Sequence, residues 1–124
     1  MLLNIQKAFP DIVQECRIIR FRQIRLAYEL VAFVELTDHT VLHIRDYLFA
    51  GGSHKYAYHW QDAHGCLITR WDNATHWPDI SSFPHHVHLK TGEVVASAVR
   101  SLFDAMEEIK SILTEGGTTK VRRL

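Results

Sequence analysis

The spacing of apolar residues along this chain changes twice, from helical at the N-terminus to alternating through the middle and back to helical near the C-terminus. Leu2, Ile5 and Phe9 are spaced as one face of a short amphipathic helix, and Pro10 stops it. From about Val13 to Phe49, β-branched and aromatic residues dominate and Gly and Pro are absent, which predicts strands. Alternation is clear from Leu30 to Leu36, and Thr37-Asp38-His39-Thr40 reads as a hairpin turn. In the strand from Val41 to Phe49, Leu42, Ile44 and Leu48 point one way, while His43, Arg45 and Tyr47 point the other.

Ala50 to Ser53 is a glycine loop, and a strand follows from Lys55 to Gln61. Its residues Tyr56, Tyr58 and Trp60 share one face, with Ala57 and His59 on the opposite one. Asp62-Ala63-His64-Gly65 is a second turn, with Gly65 free to take a positive φ, and Cys66 to Asp72 returns as the partner strand. A polar, Pro-punctuated stretch from Asn73 to Pro84 is long for a loop in a small domain, which marks it as functional. His85 to Leu89 is a short extended segment. Val99, Leu102, Phe103, Met106, Ile109, Ile112 and Leu113 then form the apolar stripe of a C-terminal helix. Ser101 and Asp104 are placed as its capping box and Gly116-Gly117 as its stop.

The pattern predicts an α+β protein: an antiparallel meander of four to five strands, a short N-terminal helix, and the C-terminal helix packed on one face. The other face is left to polar side chains. A single domain spans residues 1–117, and residues 118–124 form a mobile basic tail.

With 124 residues, 14 Lys+Arg and 14 Asp+Glu, the chain has no net charge to draw it to nucleic acid or membrane at large. Cys16 and Cys66 fit no CxxC pattern and read as reduced core thiols of a cytoplasmic protein. No apolar run is long enough for a membrane span, and the N-terminus is too polar for a signal peptide. Histidine alone departs from the ordinary. There are nine, and seven of them (His54, His59, His64, His76, His85, His86, His88) fall in one third of the chain. Histidine is both the neutral-pH proton carrier and the commonest metal ligand.

Two chemistries suit this cluster. His86 and His88 share one face of an extended segment, with His85 on the other. As a pair of ligands for a divalent metal they need Asp72 or His76 to complete the set. RNA cleavage needs no metal: histidines serve as base and acid, and a guanidinium holds the phosphate. Arg45, His59 and Arg70 lie on neighbouring strands, with Asp72 able to orient a histidine. Tyr56, Tyr58, Trp60 and Trp71 are either stacking surfaces for bases or ordinary core.

Three ordered stretches, Tyr56 to Asp62, Leu67 to Ala74 and Phe83 to His88, resemble the TumE family of toxin subunits from bacterial toxin–antitoxin pairs. The resemblance runs from Leu36 to Leu102. Arg70, Trp71, Asp72, Asn73, Ala74 and His76 match the family's middle motif, with Thr75 in place of its proline and Trp77 in place of a second histidine. Pro84, His85, His86 and His88 match the last motif, with Val87 where lysine is common.

The resemblance implies a toxin neutralised by a cognate antitoxin, often one with a DNA-binding domain. RNA as the target is an analogy at the level of small antiparallel toxins. On this reading His59, Arg70, Asp72, His76, His86 and His88 are the catalytic candidates. His86 or His88 supplies the acid/base pair, Arg70 the phosphate clamp and Asp72 the orientation. Arg45, Tyr58, Trp71, Asn73 and His85 are the candidates for substrate contacts. The alternatives are a metal-dependent phosphodiesterase using the His86/His88 pair, and a non-catalytic binding protein that docks through exposed aromatics such as Trp77 and Phe83. A homodimer is compatible with either, and no membrane contact is expected.

Overall fold

The computed structural model describes residues 2–123, with side chains described for residues 4–115. α1 (Leu2–Ala8) leads into seven strands: β1 (Val13–Ile24), β2 (Ala27–Leu36), β3 (Val41–Leu48), β4 (His54–Gln61), β5 (Leu67–Asp72), β6 (His86–Leu89) and β7 (Val94–Ala96). α2 (Leu102–Arg123) ends the chain. The strands form one sheet in the order of the sequence, each antiparallel to the next.

The α+β class and the meander are as the pattern predicts, but the sheet has seven strands, not four or five. Two hairpins escaped the pattern for different reasons. β1 and β2 are joined through Arg25 and Leu26 alone, with Ile24 paired to Ala27. Arg25 takes the positive φ (56°) that glycine or asparagine would have advertised. β6 and β7 are only four and three residues long, too short to show alternation.

Four of the six hairpin connections close in one way. In each, an N–H of the fourth residue bonds the carbonyl of the residue before the loop, and a positive-φ residue precedes the return strand. That residue is His39, Gly52, Gly65 or Gly92, with φ of 72°, 93°, 85° and 95°. Asp38 and Asp62 reinforce two of these turns: Asp38 Oδ1 accepts from the Thr40 N–H at 3.1 Å, and Asp62 Oδ1 from the His64 N–H at 2.8 Å.

Alternation gives the sheet two unlike faces. Leu30, Ala32, Val34, Leu36, Leu42, Ile44, Tyr56, Tyr58, Trp60, Trp71 and Val87 form the buried side. Ile5 and Phe9 from α1, and Leu102, Ala105, Met106 and Ile109 from α2, complete that core. Trp71 Nε1–H donates to Glu108 at 2.9 Å and ties β5 to α2.

Ser101 Oγ accepts the Asp104 N–H at 3.2 Å, whereas the Asp104 carboxylate reaches the Arg100 N–H at 3.0 Å, one residue before the expected partner. Val99 is buried but precedes the helix. α2 also runs through Gly116-Gly117, where the sequence places its end. The basic tail expected over residues 118–124 lies outside the residues whose side chains are described. Cys66 is exposed and is not the core thiol expected, whereas Cys16 is half-buried and packs against the core. Burial, and then Glu15, push the Cys16 thiol up. No helix among the described residues is long and apolar enough to cross a membrane.

One carboxylate sits on the apolar side. Asp46, 2% exposed, accepts from Tyr28 Oη at 2.8 Å and from Tyr58 Oη at 2.6 Å, and pairs with His54 Nε2 at 2.7 Å. Burial raises both phenols above their ordinary range, and the neighbouring carboxylate adds to it, which favours the donor form of each. The Asp46→Ala variant leaves the fully buried Tyr58 hydroxyl without an acceptor. Its unfolding free energy, measured by chemical denaturation, should fall by about 1–3 kcal/mol.

Candidate functional site on the open sheet face

Strand register aligns the polar face into two rows. His43, His59, Arg70 and His88 are successive cross-strand partners on β3, β4, β5 and β6. The adjacent row holds Arg45, Ala57, Asp72 and His86 on the same four strands. Residues 11 to 18 apart in sequence thus become neighbours by simple period-two alternation.

Asp72 is the centre of the arrangement. It is 5% exposed, and each of its carboxylate oxygens is engaged twice. Oδ1 accepts from the Ala74 N–H at 3.0 Å and faces His86 Nε2 at 2.8 Å. Oδ2 accepts from Arg70 Nε–H at 3.1 Å and faces His88 Nε2 at 3.4 Å. His86, 1% exposed, donates Nδ1–H to the Pro84 carbonyl at 3.0 Å, so its Nε2 bonds Asp72 only when that nitrogen also carries a proton. The two Nε2 atoms of His86 and His88 are 3.1 Å apart.

Arg70 links the rows. While Nε holds Asp72, an Nη1–H points at His59 Nδ1, 3.2 Å away. Accepting that bond places the neutral ring's proton on Nε2, which faces away from Arg70. Burial lowers the His59 pKa, and the charges of Arg70, His43 and His88 lower it further. His88 is lowered too: burial is the main cause, with His86 and Arg70 adding to it and Asp72 opposing.

A cleft of about 250 Å³ opens over the cluster, lined by Ala57, Arg70, Asp72, His76, His86 and His88 among others. It adjoins a second depression of about 400 Å³ that includes Arg45, Tyr47 and Lys55. The methyl of Ala57, between Arg45 and Asp72 in its row, leaves the depth that a larger side chain would fill. Trp77 stands over the two histidines, its ring 6.3 Å from His86 and 6.2 Å from His88.

Of the catalytic candidates, His59, Arg70, Asp72, His76, His86 and His88 therefore all lie on or at the rim of this face. The substrate-contact candidates divide. Arg45 lines the adjoining depression. Tyr58 and Trp71 are fully buried on the core side, so neither stacks on a base. Asn73 extends the β4–β5 ladder with its side chain, accepting the Tyr56 N–H at 3.0 Å and donating to the His54 carbonyl at 2.7 Å. His85 turns to the other side of β6 and bonds Tyr56 Oη at 2.7 Å. Because that hydroxyl donates to the Val99 carbonyl at 3.0 Å, His85 Nδ1 is the donor, and the ring is spoken for. Burial lowers the His85 pKa, with Arg100 next, and the Tyr56 phenol is pushed up to about 12, chiefly by burial.

Sequence reasoning missed His43, Lys55 and Trp77 as members of this face. The alternation that placed His43 opposite Leu42 already put it beside Arg45, but nothing in it gave the register that aligns His43 with His59. Three ligand atoms, from Asp72, His86 and His88, all lie within 4.8 Å of one another and are suited to a divalent ion. The second histidine nitrogen bonded to a carbonyl is the usual support of such a ligand.

Neither a curated protein nor a solved structure matches the chain. The family described as Toxin TumE matches it over residues 4–115, from α1 to Glu115 in α2 and across every residue of the cluster. This chain belongs to the TumE toxin family.

Proposed function

We propose that the chain is the toxin of a toxin–antitoxin module and that it cleaves RNA at the open-face cluster. The observation that carries this reading is the row His59–Arg70–His88, two histidines on alternate strands with a guanidinium between them. Their backbones are roughly 10 Å apart, two strand spacings, enough to place a phosphodiester between the rings. One histidine takes the proton of the ribose 2′-hydroxyl as the 2′-oxygen bonds phosphorus. The other gives a proton to the 5′-oxygen as its bond to phosphorus breaks. Arg70, with Arg45 and Lys55 in the adjoining depression, stabilises the charge on the phosphate. Buried His86 touches no substrate in this scheme. It fixes Asp72, and Asp72 fixes Arg70.

A second reading is favoured by one observation, the convergence of Asp72, His86 and His88. Ligand atoms about a tetrahedral zinc lie roughly 3.3 Å apart; here His86 Nε2 is 2.8 Å from Asp72 Oδ1 and 3.1 Å from His88 Nε2, which is 3.4 Å from the other carboxylate oxygen. His86, His88 and Asp72 would then hold a divalent ion that polarises the phosphate, with His76 at the rim of the same cleft.

Induced expression in bacteria, with growth and total RNA followed together, tests the function. Wild type and the helix-surface variant Glu107→Ala should arrest growth and fragment RNA, whereas His88→Ala and Arg70→Ala should be at least about 100-fold less active on RNA. Arrest with intact RNA would move the target elsewhere, and full toxicity of both variants would remove the cluster from the mechanism. Cleavage by purified protein that survives EDTA supports the row of histidines. Loss on EDTA with recovery on adding Zn²⁺ or Mn²⁺, together with a raised Tm, supports the metal reading.

The rate should also depend on pH in a stated direction. Both His59 and His88 release their protons below the ordinary imidazole value, so the base becomes competent, and the acid exhausted, at lower pH. The profile of kcat/KM is therefore expected to be a bell with its maximum on the acid side of about 6.5. A maximum above 7.5 would contradict the assignment.

A further inference from the structure

The sheet has two edges and they are unlike. β7, three residues long, leaves little backbone for another chain to pair with. β1 is twelve residues long, contains no proline and pairs only with β2. Of the eleven large apolar residues exposed among the described residues, five lie on β1 or its turn: Ile18, Ile19, Phe21, Ile24 and Leu26. Neither helix covers them, although Cys16, Ile18 and Phe21 lie on the same side as the core, paired with Val34, Ala32 and Leu30.

The opposite side of β1 is basic. Arg17, Arg20 and Arg22 pair with Phe33, Val31 and Glu29, on the face that carries the cluster. Among the described residues they are paired with Glu15, bonded to Arg17 at 3.1 Å, and with Glu29, shared by Arg20 and Arg22, while Glu35 stands opposite Glu15 on the same face. Arg25 adds a fourth cation at the turn. Three of these guanidiniums are more than half exposed.

We infer that β1 is the docking edge for the antitoxin, which adds to it an extended segment of alternating apolar and acidic residues. This partner rests on the toxin reading above. Side chains that oppose one another across a strand pair share a face. A strand laid against β1 therefore sets apolar residues beside Ile18 and Phe21 and acidic residues beside Arg17, Arg20 and Arg22. A second copy of the chain satisfies the first requirement but not the second: two β1 strands paired antiparallel bring arginine rows together on one face. Main-chain hydrogen bonds along β1 supply affinity, and the alternation supplies selectivity. The added strand would lie roughly 19 Å from β4, so it anchors the antitoxin beside the cluster without filling the cleft.

The test uses full-length toxin co-expressed with the antitoxin encoded beside its gene, followed by hydrogen exchange on free toxin and complex. The amides of Val13–Ile24 should exchange at least tenfold more slowly in the complex. Arg17→Glu and Phe21→Ala should each weaken binding by tenfold or more, while the free variants still arrest growth and keep the wild-type Tm. Failure of the two proteins to associate, or a complex that leaves β1 exchange unchanged, overturns the proposal. So does a concentration-dependent dimer of the free toxin that protects the same amides, which would assign the edge to a second copy. If β1 is protected in the complex yet the chain alone does not arrest growth, the docking edge stands and the toxin reading falls.

Discussion

Trp71 faces the helices, and Arg70 and Asp72 face the open side, because β5 keeps one register with both neighbours from Thr69 to Asp72, with Tyr58 on one side of Trp71 and Val87 on the other. A slip of one residue would put the indole in water and drive a guanidinium and a carboxylate into the core. Apolar burial of Trp71, together with its bond to Glu108, thus locks the alignment that brings His59, Arg70 and His88 into one line. The polar cluster on one face is positioned by packing on the other. The polar groups contribute little to choosing the register; they inherit it.

Within that frame, two carboxylates have parallel surroundings on opposite faces. Asp46 is held by two tyrosines and His54 on the core side. Asp72 is held by Arg70, His86 and a backbone amide under the open face. The first is enclosed by phenols that burial holds in their donor form, and ties β2, β3 and β4 together. Around the second stand groups that can exchange protons or accept an ion, beneath a cleft. Equal burial therefore carries different meanings, decided by what the neighbours can do.

Much of this was legible in the chain. Alternation of Tyr56, Tyr58 and Trp60 against Ala57 and His59 already separates the faces of β4, and His86 and His88 of β6 fall together on one side by the same rule. The motifs of the family pointed to residues that the register gathers on one face. What stayed hidden was of three kinds. A turn built from Arg25 and Leu26 has no residue type to announce it, so one long strand concealed two. Strands of three and four residues hold too few positions for a period. Tyr58, Trp71, Asn73 and His85 matched motifs or suggested stacking, yet burial and local hydrogen bonds commit them to the scaffold. Only register in space distinguishes a residue kept for shape from one kept for reactivity.

The connection from Asn73 to His85 has a kinetic consequence. Four hairpins close over loops of three residues, so those pairings form locally and at small entropic cost. β5 and β6 instead meet across 13 residues, which is about two doublings of loop length and roughly 1.2 kcal/mol of additional closure entropy. His59, Arg70 and Asp72 therefore come together in the early, local part of assembly, whereas His86 and His88 arrive with the last and least local pairing. Until that loop shuts, a nascent chain holds only part of the cluster, which leaves an interval in which the β1 edge is already formed while the cluster is not.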